Sequence, residues 1–112
     1  AKILDEGLKK NYPNIVIPIR TKGYLETFSL YMILCKKRDQ LKNYLIKKGI
    51  EVKIHYPIPL HLQKASKNLN YKKGHSPVSE YQAKYLITLP VHQYLTVKQI
   101  KYMIKVINDF YR

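Results

Sequence analysis

Cysteine, arginine, glycine and acidic residues are all scarce in this chain of 112 residues, and tryptophan is absent. The single cysteine, Cys35, excludes an intrachain disulfide and a cysteine-rich zinc site. The four glycines are never paired, so a glycine-rich loop that cradles nucleotide phosphates is also excluded. No apolar run approaches the ~20 residues that a membrane-spanning helix needs, and the first ten residues do not resemble a signal peptide. We therefore expect a cytoplasmic domain without disulfides.

Positive charge is abundant: 21 basic residues stand against seven acidic ones, and the net charge is +14. Such an excess is typical of proteins that bind nucleic acid, an anionic membrane or a phosphorylated ligand. However, only Arg20, Arg38 and Arg112 are arginines, whereas surfaces that read bases favour the arginine fork. The wealth of lysine, isoleucine and tyrosine is also what codon drift in an AT-rich genome produces. We favour drift on solvated faces, with a basic ligand site as the secondary interpretation of the charge. A small basic nucleic-acid-binding domain without catalytic activity stays as the alternative function.

The length and the hydrophobic fraction of 46% indicate one folded domain, residues 1–112. Residues 27–35 carry apolar side chains on both faces, so this strand should lie centrally in a sheet and be covered on both sides, at least in part. Residues 51–56 alternate cleanly, and their phase places His55 on the polar face. We expect an α+β fold (α/β sandwich-like) in which a small, mostly antiparallel sheet packs against helices. Strands are predicted near 27–36, 51–56 and 86–89, with a short strand-like run at 15–17, and helices near 39–48, 60–69, 77–84 and 96–111.

Capping signals support the predicted helix ends. They are Asp39 as an N-cap, Gly49 at a left-handed C-terminal position followed by Ile50, Ser76 before Pro77, and the capping box of Thr96 with Gln99.

Few residues of this chain are candidates for catalysis or metal binding. His55 and His61 are separated by six positions and two prolines, which is not a metal-ligand spacing, so we expect no metal site. His75 and His92 are interpreted as surface or hydrogen-bonded histidines, and Cys35 as a small buried hydrophobe. The seven carboxylates form no obvious acid–base pair. We expect no catalytic residue in this chain.

One ordered series of motifs is highly specific. It comprises Arg38-Asp39-Gln40-Leu41, Gly49-Ile50, the string His55-Tyr56-Pro57-Ile58-Pro59-Leu60-His61-Leu62-Gln63, then Gly74, Pro77, Glu80, Leu86-Ile87-Thr88-Leu89-Pro90 and Leu95-Thr96. This series closely resembles the C-terminal region of the DegT/StrS family of pyridoxal-phosphate-dependent sugar aminotransferases, from about Leu8 to Tyr111.

The resemblance implies the small domain of a fold-type-I aminotransferase, with the large domain that carries the cofactor lysine absent from this chain. Family members move an amino group from an amino acid, usually glutamate, to a keto group on a nucleotide-linked sugar. The resemblance therefore implies a homodimeric parent enzyme with pyridoxal phosphate and no membrane or nucleic-acid partner. None of the eighteen lysines should be the Schiff-base lysine, and the isolated chain should fold but be inactive. It would be an expressed fragment, a product of gene decay or a free-standing relic.

The resemblance also implies the site residues. His55, Tyr56 and His61 are the substrate-binding candidates, and the family's His-Tyr-Pro histidine faces the sugar-nucleotide pocket. An imidazole donates hydrogen bonds to a diphosphate or sugar oxygen and carries positive charge beside it. The alternative is that this string is only a structural turn whose prolines set the strand exit. Two departures from the family pattern affect this surface: Ser29 replaces a histidine or another large polar residue, and His92-Gln93 replaces an aromatic or histidine followed by proline.

Overall fold

The computed structural model describes all residues from Ala1 to Arg112. Its regular elements are α1 Lys2–Leu8, a 3₁₀ turn Lys9–Asn11, β1 Ile15–Val16, β2 Tyr31–Cys35, α2 Arg38–Lys47, 3₁₀ turns Leu60–Leu62 and Lys64–Leu69, α3 Pro77–Tyr85, β3 Leu86–Leu89 and α4 Val97–Phe110. The three strands form one antiparallel sheet in the order β1-β2-β3. The α+β class and the antiparallel sheet are confirmed.

The apolar strand β2 lies at the centre of this sheet, as its sequence predicts. Its residues alternate between fully buried and half-buried positions, so both faces are covered but unequally. The fully buried face joins a core of fifteen residues, because α1, α2 and α4 all bring apolar side chains to it. The core consists of Leu4, Leu8, Ile15, Tyr31, Ile33, Cys35, Leu41, Leu45, Ile50, Val52, Ile87, Leu89, Met103, Val106 and Ile107.

The first and last helices pack closely together. A Cβ atom on Gly7 of α1 would stand only 2.5 Å from Cδ1 of Ile104 in α4, so any larger residue would require the Ile104 side chain to move. Asn108 of α4 donates from its side chain to the carbonyl of Gly7 at 3.3 Å. These contacts hold α1 against the helix that closes the core.

Two of the predicted strands are wrong: one is shorter than predicted and the other is not a strand. The central strand starts at Tyr31 rather than at residue 27, since Phe28 has a φ of +50°, which an extended strand does not allow. Residues 51–56 are not a strand: only Lys53 pairs with the sheet, through a bridge to Thr88. Val52 is buried as predicted, but Tyr56 is 70% exposed, so the alternation ends before the prolines.

The helices lie close to the predicted positions, with differences at their ends. Lys37, in the left-handed conformation, is the N-cap of α2; the side chain of Asp39 makes no capping hydrogen bond and instead accepts from Nε of Arg38 at 2.7 Å. The segment 60–69 forms two 3₁₀ turns rather than a short helix. No helix of the chain is long and apolar enough to cross a membrane.

Candidate functional site

A cleft of about 430 Å³ opens where the bridged segment, the end of β3 and the residues before β2 meet. Six of its ten lining residues are polar or charged, so the cleft is more polar than a typical small-molecule pocket. The lining residues are Ser29, Leu30, Glu51, Lys53, His55, Thr88, Leu89, Pro90, Val91 and His92. The predicted polar face of the segment 51–56 therefore faces this cleft.

His55 is held in the cleft wall by the sheet. Backbone hydrogen bonds run in both directions between Lys53 and Thr88, at 3.2 Å and 2.8 Å. Two residues after Lys53, Nδ1 of His55 lies 2.9 Å from Oγ1 of Thr88. Thr88 is only 6% exposed, whereas His55 is half-buried, so the imidazole is anchored on its inner side. The ring has a fixed position and stays accessible to a ligand.

Tyr56 lies beside His55, with its ring edge-on to the imidazole at a centroid distance of 5.7 Å. Both residues line a second, smaller cleft of about 190 Å³ together with Pro59 and Leu60. Most of the Tyr56 ring is exposed. Tyr56 does not line the larger cleft, and its exposed side chain borders only the smaller one, next to His55.

His61 lies elsewhere. Its Nε2 is 3.0 Å from Oε1 of Glu80, and the two side chains are only 9% and 17% exposed. The same carboxylate oxygen accepts from the backbone N–H of Gly74 at 2.7 Å. The hydrogen bond from His61, followed by that from Gly74, lowers the pKa of Glu80. His61 lines neither cleft, so the structure brings together His55 and Tyr56 but not the third candidate, whose contact with substrate stays a prediction.

The charges around the cleft are sparse and exposed. Nζ of Lys53 lies 3.3 Å from Oε1 of Glu51, and both side chains are largely in solvent. His92 also lines the cleft and is exposed, with its ring centroid 6.2 Å from that of Tyr94. No three His, Cys, Asp or Glu side chains lie together as a metal ion requires. The cleft therefore offers hydrogen-bond donors and one ammonium group, whose charge the neighbouring Glu51 carboxylate offsets, and this combination suits a polar ligand.

The lysines do not form a cofactor site. None of them is buried, and all except the half-buried Lys42 are exposed. A lysine that forms an aldimine is normally enclosed in a preorganised pocket that also holds the pyridine ring and the phosphate. The residues of this chain therefore do not fit pyridoxal phosphate, and no step through that group is assigned to them.

Sequence reasoning missed several cleft residues. Thr88 lies in a strand, and the sequence of that strand does not indicate a polar partner 33 positions earlier in the chain. Ser29 stands out in the sequence only as a departure from the family pattern, yet it lines the cleft. The alternation of residues 51–56 places Lys53 on the polar face but does not indicate a site there. The alternation of residues 51–56 puts Lys53 on the same face as His55, so it is the one sequence pattern that indicates both residues.

Comparison with known proteins gives the family. The model of the DegT/DnrJ/EryC1/StrS aminotransferase family matches residues 1–108. The chain belongs to this family. A pleiotropic regulatory protein of Geobacillus stearothermophilus is 38% identical over 98 residues, which are 88% of this chain and 26% of that protein. A UDP-N-acetyl-3-dehydro-alpha-D-glucosamine 3-aminotransferase of Acidithiobacillus ferrooxidans is 33% identical over 95 residues, 85% of this chain and 25% of the enzyme.

Solved structures of the family have the same fold. A DegT DnrJ EryC1 StrS aminotransferase from Brucella abortus is 34% identical, with a TM-score of 0.87 over 98% of this chain and 29% of its own. The pyridoxal-phosphate form of a sugar aminotransferase from Streptococcus pneumoniae, Spr1654, is 25% identical, with a TM-score of 0.82 over 98% of this chain and 29% of its own. The chain thus spans about a quarter of the length of these family members.

Proposed function

We propose that this chain is the small domain of a pyridoxal-phosphate-dependent aminotransferase that moves an amino group, from glutamate or another amino acid, to a keto group on a nucleotide-linked sugar. The enzyme would serve deoxysugar or surface-polysaccharide synthesis in the cytoplasm. The observation that carries the proposal is the anchored imidazole of His55 in the wall of a polar cleft. Family membership supports the reaction class.

In this proposal the large domain and this chain contribute different groups to the reaction. The cofactor supplies amino-group transfer chemistry when it is bound to the large domain of the same enzyme, and the parent acts as a homodimer. This chain supplies the substrate side: His55 donates a hydrogen bond to a diphosphate or sugar oxygen, Lys53 offers an ammonium group beside Glu51, and Tyr56 lines the smaller cleft next to His55. His61 contributes by holding the turn after the two prolines against α3 through Glu80.

Binding of a nucleotide-linked sugar to the 112-residue chain tests the proposal. UDP-N-acetylglucosamine and dTDP-glucose are titrated into ¹⁵N-labelled protein, and chemical shifts are followed by NMR. We expect shifts confined to the cleft residues and a loss of about fivefold to tenfold in affinity in His55→Ala, because one charge-assisted hydrogen bond is removed. His75→Ala is the matched control, since His75 is exposed and lines neither cleft. Equal losses in both variants, or shifts spread over the lysine-rich surface, would contradict the proposal.

Activity is the second test. The chain mixed with pyridoxal phosphate, glutamate and a keto-sugar nucleotide is expected to give no turnover and no aldimine absorbance band that survives dialysis. A stable band that maps to a single lysine, together with turnover, would overturn the assignment of the cofactor lysine to the large domain.

A further inference from the structure

The hydroxyl of Thr88 has a single side-chain partner. Thr88 is 6% exposed, and its Oγ1 forms one hydrogen bond, to Nδ1 of His55 at 2.9 Å. A buried hydroxyl carries one hydrogen that must be donated, and leaving it without an acceptor is costly. This requirement decides which of the two groups, the Thr88 hydroxyl or Nδ1 of His55, is the donor of the hydrogen bond.

Only one tautomer of neutral His55 satisfies both groups. If Nδ1 carries the hydrogen, it donates to Oγ1, and the chain offers no other acceptor for the hydroxyl hydrogen of Thr88. If Nδ1 is unprotonated, it accepts from the hydroxyl, and the ring hydrogen sits on Nε2. The second arrangement leaves no buried donor unpaired.

Thr88 also fixes the backbone that carries His55. Its N–H and C=O form both hydrogen bonds of the bridge to Lys53, and on its other side it pairs with Met32 of the central strand β2. A single residue of the sheet therefore controls both the location of the imidazole and its hydrogen-bonding state.

We propose that Thr88 is a positioning residue that holds neutral His55 as the Nε2–H tautomer, so that the imidazole presents a hydrogen-bond donor to the cleft. The ligand group that this donor suits is an acceptor without a hydrogen of its own, such as a diphosphate oxygen or a keto oxygen. The inference about the ligand rests on the proposed function, whereas the tautomer is a property of the chain alone.

The tautomer is measured first, without ligand. Long-range ¹H–¹⁵N spectra of the chain at pH 8.5, where an ordinary imidazole is neutral, report which ring nitrogen of each histidine carries hydrogen. We expect Nε2–H for His55 in the native chain and in Thr88→Ser, which keeps the hydroxyl. In Thr88→Val, which keeps the shape of the side chain, we expect a mixture of both tautomers. A native Nδ1–H tautomer, or a Thr88→Val spectrum identical to the native one, would overturn the proposal.

Ligand binding is measured second, with dTDP-glucose as the probe. We expect Thr88→Val to bind about fivefold more weakly and Thr88→Ser to bind like the native chain, with backbone amide spectra of both variants showing the native fold. If Thr88→Val loses its fold, Thr88→Ser and the native tautomer still decide the proposal. Absence of binding by the native chain would contradict the proposed function while the tautomer result stands; equal binding by Thr88→Val and the native chain would contradict the positioning role.

Discussion

Cys35 shows how burial makes a cysteine thiol unreactive. The residue is 1% exposed in the central strand, and its thiol donates to the carbonyl of Tyr85 at 3.6 Å. Burial is the largest influence on this thiol and raises its pKa to about 11, against the smaller opposing effects of Tyr111 and Arg38. Because the thiolate is the reactive form, Cys35 is a packing residue at neutral pH.

The folded chain is therefore expected to resist thiol reagents. With 5,5′-dithiobis(2-nitrobenzoate) at pH 8, the native chain should release almost no chromophore over minutes, because the thiol is both enclosed and protonated. In denaturing urea one thiol per chain should react at once, which serves as the control. Rapid reaction without urea would show that β2 opens more readily than its packing indicates.

Histidines show where reasoning from single residues succeeds and fails. The position of His55 was predictable, because a period-two pattern in its own segment determines its side of the chain. The surroundings of His61 were not, since its partner Glu80 lies 19 residues away on a helix whose packing no local pattern encodes. Thr88 was missed for the same reason.

At the scale of elements, helix α4 is the one whose start the sequence encodes most completely. Thr96 accepts from the N–H of Gln99 at 3.2 Å, and Oε1 of Gln99 accepts from the N–H of Thr96 at 2.9 Å. The C-terminal end of α2 is equally well encoded: Gly49 has a φ of +75°, and Ile50 donates back to the carbonyl of Leu45 at 2.9 Å. The predicted helix stop and capping box are both confirmed.

Removing the cap of α4 should be measurable in the stability of the whole domain. Thr96→Ala is expected to lower the free energy of unfolding by about 1 kcal/mol, since the backbone N–H of Gln99 loses its side-chain acceptor. Urea titration followed by circular dichroism measures the change. Thr96→Ser should stay near the native value, and Lys98→Ala in the same exposed turn is the matched control. A midpoint unchanged in Thr96→Ala would mean that α4 is held by its apolar side alone.

Strands were harder to predict than helices in this chain. Alternation reports which side chains are buried, but not whether the backbone finds a partner along its whole length. Residues 51–56 alternate, yet only Lys53 pairs, because the chain leaves the sheet before Pro57. Element types were thus predictable where hydrogen bonds are local, as in the helices, and extents were not where the partners come from a distant strand.

On the scale of the molecule, one ionic network joins the first helix to the central strand. Arg20 donates to both carboxylate oxygens of Asp5, at 3.1 Å and 3.2 Å, and to Glu26 at 2.9 Å. The hydroxyl of Tyr31 donates to the same Asp5 carboxylate at 2.5 Å. The guanidinium also lies over the ring of Phe28, 4.9 Å from its centroid. Burial alone would raise the pKa of Asp5, but the hydrogen bonds from Arg20 and Tyr31 outweigh it, and the pKa is lowered.

This network makes the stability of the domain sensitive to acid. Because the pKa of Asp5 is lower in the folded chain than in the unfolded one, its contribution is complete above the unfolded value near 4 and is lost as the pH falls through the folded value. We expect Asp5→Asn to lower the free energy of unfolding by about 1–2 kcal/mol at pH 7. The variant should also lose less stability than the native chain between pH 5 and pH 2.

Urea midpoints measured across that pH range check the expectation. Glu6→Gln, on the exposed side of the same helix and paired only with Lys9, is the control and should resemble the native chain. Parallel pH curves for Asp5→Asn and the native chain would show that the network carries no net stability.

The close crossing of α1 and α4 has a consequence for synthesis on the ribosome. Translation releases Leu4 and Leu8 long before Met103, Val106 and Ile107 have been polymerised, although all five share one core. Until α4 emerges from the ribosome, the apolar side of α1 and the strand β2 stay exposed on the nascent polypeptide. Such exposed segments are what chaperones bind. For these residues, completion of α4, rather than of the sheet, is therefore the event that covers the apolar core.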